Sequence, residues 1–233
     1  MTRVAIHQPN YIPWIGYFDK MAKCDVFVFL DSVEYSRSSV INRNKILNTN
    51  GWNWLTIPVK KDDTNKNICD VEFANDKWWI KHWTSLVHAY SKSDCFSEYS
   101  DFFHQIYEEK KYDKIADLNI AIIRYIAASF EIYPRFIRSS DLELRHDLHK
   151  NELLLDILQK LDATQYIAGT GCKDYMEDTL FVENGINIVY NEVKPFVYKQ
   201  RWEGFEPYMS AVDLLFNEGE KGAGYFTHDI PDD

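Results

Sequence analysis

The apolar positions near the N-terminus change period twice within about thirty residues, which is the sign of two kinds of element in quick succession. Val4-Ala5-Ile6 is a continuous apolar run that stops at the polar His7-Gln8-Pro9-Asn10, and it reads as a buried strand ending in a loop. Residues 14–22 then repeat at helical spacing, with Ile15, Phe18, Met21 and Ala22 on one face. Asp25-Val26-Phe27-Val28-Phe29-Leu30-Asp31 follows as a strand apolar on both faces, as suits the centre of a parallel sheet. Strand, helix and strand in this order predict a βαβ unit, whose ligand side is the C-terminal end of its strands.

Further along, the pattern is less regular. Residues 32–50 show no period and are expected to form a long polar loop. Residues 52–59 and 68–73 predict two strands joined by a polar turn at 60–67. Residues 76–132 read as mostly helical, with one helix carrying Trp78, Trp79, Trp83, Leu86 and Val87 and two more at 102–107 and 115–130. Phe136-Ile137-Arg138 returns as a strand. Residues 151–161 form a helix with Leu153, Leu154, Ile157, Leu158 and Leu161 on one side, and 165–168 form another strand. A short helix at 178–184 is closed by Gly185, a strand follows at 186–190, and the last helix is expected near 210–216. The acidic tail at 227–233 is expected to fray. The sum is an α/β fold: a Rossmann-like open, mostly parallel sheet of about five strands, one domain over residues 1–233, with a helical insert at about 76–132.

Composition narrows the function more than the fold. Fifteen Tyr and seven Trp suit pocket walls as well as a core, because each ring is apolar with one polar tip. The net charge of −10 sets the chain against general binding of a phosphate backbone, so no nucleic-acid partner is expected. Cys24, Cys69, Cys95 and Cys172 are scattered, which argues against a zinc knot or a disulfide framework and suits a reducing cytosol. Met1-Thr2-Arg3 runs straight into the first apolar run, and no apolar stretch is long enough to span a membrane. A cytoplasmic protein without a membrane span is the expectation.

Chemistry has four candidate places. At the end of the first strand, His7, Gln8, Asn10 and Tyr11 cluster, and Pro13 is placed to open the next helix in its first turn. A helix start offers free N–H groups to an anion, and His7 suits a base near neutral pH. The plainer reading has His7 bonded to backbone and the prolines shaping a turn. The second place is the polar loop, where Arg37, Asn42, Arg43 and Lys45 are candidate ligands and Arg43 is the strongest, since guanidinium grips phosphate or carboxylate in bidentate fashion. The plainer reading is a solvated loop. The third is Gly169-Thr170-Gly171-Cys172-Lys173-Asp174-Tyr175. Gly169 and Gly171 let a ligand approach the backbone, Lys173 suits a phosphate, and Asp174 accepts from a hydroxyl or amine. Neither the dinucleotide nor the Walker fingerprint is present. The fourth is His146, His149 and Glu152, spaced like metal ligands. Asp147 or His149 as a helix cap with Glu152 in the first turn is the preferred reading, so no metal is expected. No cysteine sits in an activating setting.

His7-Gln8-Pro9-Asn10-Tyr11-Ile12-Pro13-Trp14-Ile15-Gly16-Tyr17-Phe18 resembles the WbqC-like family. The resemblance continues through residues 25–31, Asn42-Arg43-Asn44-Lys45, residues 169–175 and Asp213-Leu214-Leu215-Phe216-Asn217, nearly the whole chain. The chain departs where relatives carry Gly-Pro-Ser-Gly-Lys-Asp-Tyr, having Cys172 at the fourth position, which implies that no side-chain chemistry is needed there. The family is encoded in bacterial O-antigen and other surface-polysaccharide gene clusters, some of which make amino sugars bearing an amino-acyl group. The resemblance therefore implies an enzyme transferring an amino-acyl or acyl group to a nucleotide-linked amino sugar. His7 and Asp174 would be its catalytic residues, and ATP or a carrier-bound acyl donor its cosubstrate. A weaker resemblance is to the HIGH-type nucleotidyltransferases, among them the pantothenate synthetases, which join a carboxylate to an amine. Trp14-Ile15-Gly16-Tyr17 occupies the HIGH place, so both histidines of that motif are absent. A non-catalytic sugar-nucleotide-binding or pathway-assembly protein and a nucleotidyltransferase are the alternatives, and the oligomeric state is open.

Overall fold

The chain begins with β1 (Arg3–His7), α1 (Ile15–Ala22) and β2 (Val26–Phe29), the βαβ unit expected from its apolar runs. A hairpin of β3 (Arg43–Asn48) and β4 (Gly51–Thr56) follows, then α2 (Lys77–Tyr90), α3 (Phe96–Glu109) and α4 (Ile115–Ser129). The second half alternates: β5 (Arg135–Arg138), α5 (Lys150–Lys160), β6 (Gln165–Gly169), α6 (Asp178–Glu183), β7 (Asn187–Asn191) and α7 (Ala211–Glu218). This computed structural model describes residues 1–63, 65–109, 112–193 and 196–228. From residue 229 the acidic tail lies outside the described residues.

Five strands form one parallel sheet in the order β5-β2-β1-β6-β7. Alternate residues feed two cores, as the strand period requires. Ala5, Phe27, Phe29 and Ile167 face the layer built by α1, α2, α3, α4 and α7. Val4, Ile6, Val26, Val28, Tyr166 and Ala168 face α5 and α6, through Ile157, Leu158 and Phe181. Helices therefore cover both faces, the Rossmann-like arrangement expected from the alternation of elements.

The middle of the chain differs from expectation. The stretch 32–50 is not wholly a loop, because Arg43–Asn48 pairs antiparallel with Gly51–Thr56 from Arg43↔Thr56 to Asn48↔Gly51. Residues 68–73 do not form a strand. Ile68–Asp70 is a short 3-10 turn, and this stretch bonds to loops: Ile68 N donates to Val33 O and Cys69 N to Asp31 O, both at 2.9 Å. Ile68 and Val71 are fully buried, and this burial of both is what the apolar pattern had registered. Pro13 is not in the first turn of α1 either. The helix starts at Ile15 behind the extended Trp14, and the Pro13 carbonyl instead accepts from Ala211 N at 2.8 Å.

Candidate functional site

The site follows from how the sheet opens. β1 pairs with β2 as far as His7↔Phe29, but with β6 only as far as Ala5↔Ile167. The two central strands part at their C-terminal ends. The loop after β1 leads to α1 on one face of the sheet, while α6 follows β6 on the other. Such a switch point leaves a crevice where open α/β sheets take ligands.

His7 and Gly169 stand at its two sides. The His7 ring stacks on Tyr17 at 4.6 Å between centroids, and its Nδ1 is buried with no hydrogen-bond partner among the described residues. Burial, helped by the Lys20 charge, holds its pKa well below the usual histidine value, so the ring is neutral. Lys20 is a residue that sequence reasoning missed. It is buried, and its Nζ donates to Ile6 O at 3.0 Å, just past the last residue of β1 that pairs with β6. Side chains on a helix lean toward its N-terminus, which carries Nζ up toward the crevice. An ammonium has three N–H groups. Among the described residues no carboxylate pairs with it, since neighbouring Asp19 is taken by Lys23 at 2.7 Å and by Asn191 Nδ2 at 2.8 Å. Burial lowers the Lys20 pKa to about 8, with Cys24 and Cys172 acting weakly in the opposite direction.

The loop after β1 is anchored from four sides. Asn119 Nδ2 on α4 donates to Pro9 O and to Ile41 O, each at 2.8 Å. Tyr11 N donates to Val40 O at 3.0 Å. Asn44 Nδ2 and Ser210 Oγ both donate to Ile12 O, at 2.8 and 2.7 Å. The bonds fix Ile12 at φ 35°, a region that β-branched residues avoid and that the surroundings must impose. Gly16 is required for a different reason: a Cβ there would run into the Trp14 ring folded over it. Trp14 and Tyr17, in the HIGH place, are thus packing groups, Tyr17 also donating to Gln8 O at 3.1 Å.

The other expected ligands are distributed more widely. Gln8 is partly buried beside His7. Asn10 is buried, and its Oδ1, like those of Asn42 and Asn119, has no partner among the described residues. Tyr11 is fully buried, and its hydroxyl meets His82 Nδ1 at 2.8 Å and the Tyr107 hydroxyl. Burial lowers the His82 pKa to about 4. Arg37 donates to Lys61 O at 2.9 Å. Arg43 lies over the Trp54 ring at 4.5 Å and Lys45 over Trp52 at 4.0 Å, on the hairpin. Residues 170–175 form a 3-10 turn. There Cys172 Sγ donates to Gly169 O at 2.8 Å, and Lys173 pairs with Glu192 at 2.9 Å. Asp174 is exposed, and the Cα atoms of Gly169 and Gly171 face open space. At the end of β2, Asp31 is fully buried and bonded by Arg138, Ser139 and Ser140, while Arg138 also reaches Asp117 at 2.6 Å. That cluster locks β2, β5 and α4 together beside the crevice.

The WbqC-like protein family model matches residues 8–225. A protein of Mycobacterium tuberculosis (strain ATCC 25618 / H37Rv), described as uncharacterized protein Rv1507c, is 34% identical over 230 residues, covering 98% of this chain and 99% of its own. No solved structure matches the chain.

Proposed function

Since the chain belongs to the WbqC-like protein family, we propose that the β1–β6 crevice is the active site of a transferase of bacterial surface-polysaccharide synthesis. It places an acyl or amino-acyl group on the amine of a nucleotide-linked sugar. One observation carries the assignment of the site: a buried ammonium, Lys20, with no counter-ion among the described residues, lies beside a neutral imidazole where two parallel strands part. An unpaired buried charge is costly, and an anionic substrate offsets that cost on binding. The nucleotide's phosphates supply such an anion.

The chemistry asks little more of the protein. The sugar nitrogen attacks the donor's carbonyl carbon, the nitrogen–carbon bond forms, and the bond to the leaving group breaks. The adduct's ammonium proton is acidic, so a neutral His7 of low basicity accepts it. Lys20 and the Asn10 amide oxygen hold the substrate against the crevice, and Asp174 on the open 170–175 turn accepts from its hydroxyls or amine. The reading of the donor, ATP with an amino acid or a carrier-bound acyl group, draws on the family's gene setting.

The test is mass spectrometry of dTDP-amino sugar incubated with either donor pair. A product heavier by one acyl group, lost in His7→Ala and in Lys20→Met, is expected. Binding of the sugar nucleotide with no amide from either donor supports the non-catalytic alternative instead and counts against the transferase.

A further inference from the structure

A second cavity, of about 600 Å³, opens along the β3–β4 hairpin, between its strands and tip, the C-terminal half of α2 and the chain at Trp202. Its lining runs from the tip back to Leu55, which pairs with Asn44, but shares no residue with the loop after β1, Lys20 or the 169–175 turn, so it is a separate place from the crevice. Its size falls within the roughly 300–1,000 Å³ usual for small-molecule sites.

The lining is unusual for this charged chain. It combines Trp54 and Trp202 with the amides of Asn50 and Asn53, the Ser85 hydroxyl and the His88 imidazole, and among the described residues it has no carboxylate, lysine or arginine. The nearest cations each lie against an indole: Arg43 over Trp54 at 4.5 Å, Lys45 over Trp52 at 4.0 Å and over Trp54 at 5.5 Å, and Arg201 over Trp202 at 4.5 Å. Among the described residues Trp202 Nε1 is buried without an acceptor, which is rare for a buried donor and marks a place for one.

We propose that this cavity binds an uncharged saccharide. The argument is by elimination and by fit. A basic ligand would need a carboxylate, which the described lining lacks, and an anion would have to draw Arg43, Lys45 or Arg201 off the indole it is stacked on. A purely apolar ligand would strand the amides and the hydroxyl. A sugar ring has C–H faces that lie on indole and a rim of hydroxyls that both donate and accept. Asn50 and Asn53 meet that rim with both functions, and a hydroxyl oxygen answers Trp202 Nε1. The inference rests on this cavity alone and not on the reading of the crevice.

The experiment is a titration of the whole protein, ¹⁵N-labelled, followed through its indole N–H resonances. Glucose, galactose, mannose and N-acetylglucosamine, each at millimolar concentration, are the probes, and uridine diphosphate is the charged comparison. The expected result is that at least one sugar shifts the Trp54 and Trp202 signals and leaves Trp14, beside the crevice loop, in place. Trp202→Ala is expected to weaken that sugar's binding tenfold or more, the loss of a stacking anchor. Asn53→Ala, at an exposed position that leaves the packing intact, is expected to weaken it about threefold to tenfold by removing hydrogen bonds alone. The proposal is overturned if none of the four sugars moves the two signals. It is equally overturned if uridine diphosphate moves them and the sugars do not, or if Asn53→Ala binds a shifting sugar with unchanged affinity.

Discussion

Lys20 is the residue on which most turns, and its chemistry makes two predictions. If its ammonium holds the substrate anion, kcat/KM falls as pH rises past about 8, where the free protein loses that charge. A bound anion favours the charged form, so the alkaline limb of kcat lies at higher pH than that of kcat/KM. Lys20→Arg carries a charge that does not titrate there, and any activity it retains should show no such limb. A coincident alkaline limb in both proteins would assign the titration to another group. Stability gives the second prediction. The folded protein holds the Lys20 proton less tightly than the unfolded chain, whose value is 10.5. Between about 8 and 10.5 the unfolded chain binds more protons, so this residue makes stability rise with pH in that window. Below it the cost is full, about 3 kcal/mol. Lys20→Met removes the cost, so at pH 7 it is expected to be as stable as the parent or more so while losing turnover, and the difference between the two proteins narrows toward pH 10.5. Chemical denaturation at a series of pH values measures this. A Lys20→Met protein markedly less stable at pH 7 would mean that the ammonium is already satisfied by the fold.

At the scale of elements, what the sequence shows depends on whether a segment carries its own apolar pattern. β1 and β2 were legible because each buries a continuous apolar run, and α1 because its apolar residues recur at helical spacing. β3 was not: Arg43, Lys45 and Leu47 turn one way and Asn44, Ile46 and Asn48 the other, and the cations' partners, Trp52 and Trp54, are on the opposite strand. Lys20 escaped notice because α1 reads as amphipathic, yet all eight of its residues are buried, its polar side against the diverging strands. The first loop was legible as a site, while its anchors were not: the helical repeat puts Asn119 on the buried face of α4 with Ile115, Ile122 and Ile123, but nothing in it shows which carbonyls its amide meets. That anchoring is testable. Asn119→Ala removes both bonds, to Pro9 O and Ile41 O, and leaves two buried carbonyls short of a partner. A loss of about 1–3 kcal/mol of stability is expected. Turnover per folded molecule is expected to fall as well, because His7 and Asn10 flank Pro9. Full activity at a temperature where the variant stays folded would show that the loop keeps its shape without α4.

At the scale of the whole molecule, the crevice is closed by a residue nearly two hundred positions away in the chain. Ser210 Oγ donates to Ile12 O at 2.7 Å and accepts from Val212 N at 3.3 Å, so one hydroxyl both caps α7 and clamps the loop after β1. Its own N–H bonds to Lys45 O at 3.1 Å on the hairpin. Behind it, Asp213, fully buried, accepts from Tyr198 and Gln200 at 2.7 and 2.9 Å and ties the chain before α7 to that helix. The strained Ile12 therefore depends on the last helix, and loop, hairpin and α7 should loosen together. Ser210→Ala is expected to cost about 1–2 kcal/mol, the cap and one buried bond. In a chain of 233 residues that is a fall of roughly 3–6 °C in Tm. Hydrogen exchange distinguishes the coupled from the local effect. If the hydroxyl only caps a helix, protection falls in the first turn of α7 alone. If it clamps the site, protection falls also around Ile12, where Tyr11 N bonds to Val40 O, although no atom there has been changed. The second pattern is the expected one, because an unfavourable backbone conformation persists only while all of its restraints are in place.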